Sequence, residues 1–383
     1  DIKRHAEEIQ SPGFDVEAAC NFLTLISEIA RSELALEMAD EWVNTLALEL
    51  AGIEATTPDP PLGEIARRAG GSPLGTLREW GAVDLVLDRA GPHPLDIRVA
   101  ALEDATRHLA SLGITWVQDA WAETDADGVI EGGTAALLDP YADTACAHRG
   151  MLVWEPDALA EIVTAVDAHG FQVHVHTIGD RAVRVSLDAI EAAMVANGPR
   201  AQRRPVLAHV QLIDEVDRPR LAALGVVANA EPLWAQLDDV MEALTVPRLG
   251  EPRASAQYPW ATLRGLGARL SFGSDWPVSS ADPLAGIAVA CARQTGDRMP
   301  ATGWTPHERL PLTAALTAYT AGTAHQAGRS AGTLEVGNDA DLVLLDRDPF
   351  TVDDPHDVAS VRVTRTWLRG RPTHSSGRTK SGS

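Results

Sequence analysis

The chain has 383 residues and a mass of 40.8 kDa, enough to bury a large core as one barrel with an appendage or as two to three smaller domains. Its 54 acidic residues against 32 basic ones give a formal charge of −22, spread along the chain, which repels phosphate backbones and argues against nucleic acid as a partner. Cys20, Cys146 and Cys291 are too scattered for a disulfide framework or a Cys-based zinc site, and no apolar run reaches the roughly 18 residues of a membrane span, so a cytoplasmic protein is expected. The start, Asp1-Ile-Lys-Arg-His5, lacks both an initiator Met and a signal-peptide core and reads as a cut end, which leaves a lost leader open.

In chain order, residues 16–52 carry apolar positions at helical spacing, among them Ala18, Phe22, Ile26, Ile29 and Leu34, and stop near Gly52, so they read as helices. The stretches Thr56–Gly63 and Gly70–Gly75 form a Pro/Gly-rich connection that reads as an excursion from the main fold. A helix over about 96–112 leads through Gly113 into a buried strand at Ile114–Asp119. Helix 156–169 then precedes strand 171–176, helix 181–195 precedes strand 205–210, and helix 214–224 precedes strand 225–231. A helix near 254–266 precedes strand 268–274, and helix 312–326 follows. Beyond Gly337 the texture changes to sheet strands at 341–346 and 360–369, followed by a Ser/Gly-rich tail. The resulting division is a helical remnant at 1–40, a helical and Pro-rich insertion at 41–100, a barrel at 101–328, a β appendage at 329–373 and a disordered tail at 374–383.

Three of the short apolar runs end in potential metal ligands, and the spacing repeats: 209 − 176 = 33 and 275 − 209 = 66, twice 33. A strand, its crossover helix and the next parallel strand need roughly 30 residues. The repeat therefore sets His176, His209 and Asp275 at equivalent ends of strands in one parallel sheet. In a (β/α)8 barrel those ends converge on the catalytic face. Two imidazoles and a carboxylate there suit a divalent ion such as zinc, with a position left for water. Trp276 and Trp234 follow strand ends and are candidates for the walls of a substrate pocket.

An ordered series of motifs resembles the amidohydrolase superfamily, specifically the amidohydrolase-3 branch that includes N-substituted formamide deformylases. It comprises Glu41-Trp-Val-Asn44, Thr57-Pro-Asp-Pro-Pro61, Leu112-Gly-Ile-Thr115, Asp127-Gly128, His176-Thr-Ile-Gly-Asp-Arg-Ala182, Gly273-Ser-Asp-Trp-Pro277 and Gly332-Thr-Leu-Glu-Val-Gly337, within residues 41–371. The resemblance implies a TIM-type barrel with a small β-sandwich appendage formed by the C-terminal strands. It further implies His176 and His209 as metal ligands ending the fifth and sixth strands, and Asp275 as the carboxylate ending the eighth. In the family this Asp takes a proton from the attacking water and returns one to the leaving nitrogen.

Two departures bear on function. No His-x-His precedes residue 174, and the only lysines are Lys3 and Lys380, so no internal residue can supply the lysine that bridges two metals in binuclear members. Only 57 residues separate Asp119 from His176, where two βα units need about 66 by the same rhythm, so the barrel is expected to be incomplete at its N-terminal side and internally shortened around Trp121–Asp127. His174 shares a strand face with His176 and reads as a hydrogen-bonded core residue rather than as the first-strand motif. Asp180 and Arg181 read as a structural ion pair, and Asp127, Glu131 and Asp139 as solvated loop carboxylates. The expected function is metal-dependent hydrolysis of non-peptide C–N bonds in small amides or formamides. The alternative is a catalytically impaired remnant with partial metal binding. A small-molecule substrate is the expected partner, with a homodimer allowed and neither nucleic acid nor membrane.

Overall fold

The computed structural model describes residues 40–61, 63–90, 95–118, 126–144 and 147–376. The helices expected before residue 40, the strand end at Asp119 and the tail from 377 lie outside these residues; His374 and Ser375 belong to a strand. The chain divides into two compact units, Asp1–His108 and Leu109–Ser383.

In the first unit, β1 (Asp40–Trp42), β2 (Glu64–Arg67) and β3 (Pro73–Arg78) form an antiparallel sheet in the order β1-β3-β2. The helical reading of 16–52 therefore fails at 40–42. Helix α1 (Thr45–Ala51) starts where Asn44 Oδ1 accepts the Ala47 N–H at 2.9 Å, and it ends at Gly52, whose φ of 70° suits glycine. The Gly-rich connection is itself sheet. Gly75 has φ 104°, and a Cβ there would lie 2.7 Å from the Val43 carbonyl oxygen. Only glycine lets β3 pass so close to the residue after β1. Helix α2 (Glu79–Ala90) packs on this sheet around Ile53, Ile65, Leu77, Ala82 and Val83, and α3 (Leu95–Ser111) follows.

The second unit alternates as its periodicity predicts. Helix α4 (Pro156–Ala168) precedes β4 (His174–Thr177), α5 (Asp180–Asn197) precedes β5 (Val206–His209), and α6 (Arg218–Ala223) precedes β6 (Val227–Ala230). Then α7 (Trp260–Gly265) leads to β7 (Arg269–Phe272). The four strands pair in parallel in chain order, with His176 opposite Ala208, Ala208 opposite Asn229 and Asn229 opposite Ser271, so their carboxyl ends are level. Helix α8 (Pro283–Ala292) is apolar on nearly every side and buried along almost its whole length. Helix α9 (Leu312–Thr317) runs through a π turn at Ala318–Gly322 into Thr323–Gln326. The appendage is a single antiparallel sheet of β8 (Leu342–Leu345), β9 (Val363–Leu368) and β10 (Arg371–Ser375), ordered β10-β9-β8.

Residues 114–118 form no strand, contrary to the expectation for Ile114–Asp119. A strand needs a neighbour for its N–H and C=O groups, and here the tie to β4 runs through side chains instead. Gln118 Nε2 meets His174 Nδ1 at 2.9 Å, and Gln326 Nε2 donates to Gln118 Oε1 at 3.0 Å and thereby joins the helical end at Thr323–Gln326 to the same edge. Gln172 Nε2 donates to the Gln326 carbonyl at 2.8 Å.

The segment from Ala126 is fastened to the end of β4 by one carboxylate. Asp127 Oδ2 accepts the N–H groups of Gly179 at 2.7 Å and Ala136 at 2.8 Å, and Oδ1 accepts that of Ile178 at 3.0 Å. Asp127 is 2% exposed, and Glu131, at 7%, is buried as well, so neither is a solvated loop group. The reason is that the turn after β4 presents backbone donors at the start of α5 that only an acceptor can satisfy. Asp180 in turn accepts the Leu138 N–H at 2.8 Å and does not pair with Arg181. Asp127→Ala leaves three buried N–H groups unsatisfied, at about 1–3 kcal/mol each, so a loss of unfolding free energy on the order of 3 kcal/mol or more is expected. Urea unfolding measures it, and an unchanged midpoint would reject this role.

Candidate metal and catalytic site

Because β4 and β5 pair with Thr177 opposite His209, the imidazoles of His176 and His209 meet just beyond the level ends of the sheet. Their ring centroids lie 4.5 Å apart at 65°, edge to face. His209 ends β5 in the left-handed region with φ 69°, and Val210 follows with φ 44°. For a β-branched residue this is a rare conformation, and each such position costs about 1–2 kcal/mol. The Val210 N–H is held by the Thr177 carbonyl at 3.0 Å and that of Ala208 at 2.9 Å, and the Leu212 N–H by Ile178 at 3.0 Å. Strain of this kind concentrates where a side chain must point in an unusual direction.

His209 is fixed on two sides. Its Nδ1 lies 2.8 Å from Glu231 Oε2, in hydrogen-bond contact, and Trp234 stacks on its face at 5.0 Å and 5°. Burial pushes the Glu231 carboxyl up to about 8, while His176 pulls it the other way. His176 Nε2 lies 3.4 Å from the Gly128 carbonyl and 3.8 Å from Asp127 Oδ1. His174 behaves as expected: it bonds Gln118, and burial, aided by His209 and His176, lowers it to about 4, so it is neutral at pH 7.

Asp275 stands apart. It lies three residues past β7 with φ 51° and is exposed. Its turn is braced by Ser279 Oγ, which donates to the Ser274 carbonyl at 2.5 Å, and by Tyr319 Oη, which donates to that of Gly273 at 3.3 Å. Gly286 makes room for this tyrosine, since a Cβ there would fall 2.1 Å from Tyr319 Oη. Among the described residues no group of three or more His, Cys, Asp or Glu is disposed to hold a metal ion. The structure thus joins His176, His209 and Trp234, and leaves Asp275 and the half-buried Trp276 outside that cluster. A cavity of about 440 Å³ opens beside the first residues of β7, lined by Arg264, Arg269, Thr313 and Thr317, and contains none of these groups.

Sequence reasoning did not single out Glu231, which contacts His209. The signal was present, because Glu231 also follows a short apolar run, but it lies 231 − 209 = 22 residues beyond His209 and so falls outside the 33-residue beat.

The model of the amidohydrolase family matches residues 33–126 and 125–374. The chain is 28% identical to the protein YtcJ of Bacillus subtilis (strain 168) over 403 positions, covering 91% of this chain and 73% of that one. It is 25% identical to the N-substituted formamide deformylase of Arthrobacter pascens, covering 86% of this chain and 70% of the enzyme. Among solved structures, an uncharacterized metal-dependent hydrolase from Pyrococcus furiosus superposes with a TM-score of 0.57 at 24% identity, over 82% of this chain and 71% of that one. The level parallel strands, the ligand-type residues at their ends and the matched segments lead to one assignment: the chain belongs to the amidohydrolase family, in its amidohydrolase-3 branch, among hydrolases of carbon–nitrogen bonds.

Proposed function

We propose that the chain is a metal-dependent hydrolase of non-peptide C–N bonds in small amides or formamides, with His176 and His209 holding one divalent ion, zinc, and Asp275 moving the proton. The observation that carries this reading is the histidine pair, ring centroids 4.5 Å apart at the level ends of β4 and β5, with His209 Nδ1 bonded to Glu231. Two imidazoles suit a borderline-soft divalent ion as two of its ligands. When bound, such an ion acidifies water and polarises a carbonyl.

The residues of the chain divide the remaining work. The Asp275 carboxylate, exposed beyond β7, is accessible to take a proton from the attacking water and to return one to the leaving nitrogen. Trp276 offers an apolar surface beside it, and Trp234 offers the ring face turned away from His209. The formamide deformylase relative supports N-substituted formamides as the first substrates to assay.

A second reading, an impaired remnant of such an enzyme, is favoured by one observation: the described residues supply no third member of a metal-binding group. An alignment of 403 positions against a chain of 383 residues also means that the Bacillus protein carries residues with no counterpart here. Metal content separates the readings. One zinc per chain after dialysis is the expected result for the hydrolase; none supports the remnant, and two would show that other ligands have taken over. Asp275→Asn keeps the shape of the side chain but removes the base, so release of formate or amine should fall by about 10²–10⁴-fold. Undiminished turnover in that variant would remove Asp275 from the mechanism.

A further inference from the structure

We infer that Tyr319 is a positioning residue: seated in a notch that Gly286 leaves in helix α8, it fixes the direction in which the chain leaves β7 and so the place of the turn that carries Asp275. The inference rests on the proposed role of Asp275 in proton transfer and assigns a role to two helical segments that carry none of the expected ligands.

The direction of the turn is set at Gly273, the first residue past β7. Its N–H donates to the Ala230 carbonyl at 2.9 Å, at the end of β6, and its carbonyl accepts from Tyr319 Oη at 3.3 Å, so this residue is held on both sides. Beyond it the turn closes on itself: the Val278 N–H donates to the Asp275 carbonyl at 2.8 Å, and Ser279 Oγ donates to that of Ser274 at 2.5 Å. Tyr319 reaches Gly273 along a fixed path. Its ring meets Phe272, the last residue of β7, at 5.4 Å and 68°, edge to face. The π turn Ala318–Gly322 that bears it is fastened at two points. A Cβ at Gly322 would fall 2.3 Å from the Leu270 carbonyl oxygen, and one at Gly332 would fall 2.5 Å from that of Thr320. Only glycine allows backbones to approach so closely.

Two departures from regular helix argue that this is more than packing. Glycine in a helix interior is destabilising relative to alanine, and α8 is otherwise a buried apolar helix in which alanine recurs. Gly286 stands there because a Cβ would fall 2.1 Å from Tyr319 Oη and 3.1 Å from its Cζ. The second departure is the π turn itself, a rare geometry that occurs frequently at functional sites. A phenylalanine would fill the same space beside Phe272 without bringing an oxygen against α8, so the notch accommodates the hydroxyl in particular. A hydroxyl enclosed between a helix and a strand end needs an acceptor. Here the acceptor is the carbonyl from which the Asp275 turn departs.

The test uses the full chain and reads the turn by millisecond hydrogen exchange, alongside turnover of an N-substituted formamide. Gly286→Ala, which drives a Cβ into Tyr319, should speed exchange at residues 274–279 while β4 and β5 keep wild-type rates. It should also lower kcat by up to about 10²-fold with KM little changed. Tyr319→Phe, which loses only the oxygen, should speed the same amides and lower kcat by up to about 10-fold. Because it also removes the atom nearest the new Cβ, adding Gly286→Ala to it should have a smaller effect than in wild type. Wild-type exchange at 274–279 in Tyr319→Phe would overturn the inference, as would acceleration spread evenly over the parallel sheet, effects that simply add, or an unchanged kcat in an active chain. If Gly286→Ala does not fold, the exchange of Tyr319→Phe decides. A wild type without turnover, whose 274–279 amides alone respond to Tyr319→Phe, would defeat the proposed function and leave the brace standing.

Discussion

The carboxylate of Asp127 is the contact on which the rim of this fold depends. It accepts three buried N–H groups at once, two from the turn that follows β4 and one from Ala136. Without it the beginning of α5 would bury unsatisfied donors, and the segment from Ala126 would lose its attachment to the strand that carries His176. The same segment also pairs by backbone, since the Ala126 N–H meets the His176 carbonyl at 3.1 Å and Val153 meets that of Ala126 at 3.0 Å.

From that fixed edge the site is assembled across three adjacent strands. β4 supplies His176, β5 supplies His209, and the end of β6 supplies Glu231. Level pairing brings the three ends together, and the left-handed residues after β5 turn the His209 ring toward its neighbours. β7 contributes differently, because Asp275 lies out on a braced and exposed turn. A carboxylate in that position suits proton transfer with solvent and substrate better than a role in the packed core.

The parallel half of the barrel was legible because its helices are amphipathic and its strands are short apolar runs, two signals that survive in a single sequence. Where those signals vanish, the reading failed. Helix α8 is apolar almost all round and shows no period to detect, and β2 and β3 lie in and beside a Pro/Gly-rich stretch where β3 passes close to Val43 at Gly75. At Ile114–Gln118 the composition favours a strand, but pairing is a tertiary property, and the tie to β4 runs through the side chain of Gln118. The placing of His176 and His209 at the ends of adjacent parallel strands was readable from their phase. Glu231 was not, because its role depends on a neighbouring strand, and Asp127 was misread because charge in a Gly-rich segment suggests solvent until the backbone donors that it satisfies are known.

The claim on which the account turns is that His176 and His209 share one ion. Zinc-edge X-ray absorption of the chain loaded with one equivalent of zinc measures this directly. The account predicts two imidazole nitrogens in the coordination shell at about 2.0–2.1 Å, falling to one in His176→Ala. A shell of oxygen atoms alone, or one unchanged by that substitution, would contradict it.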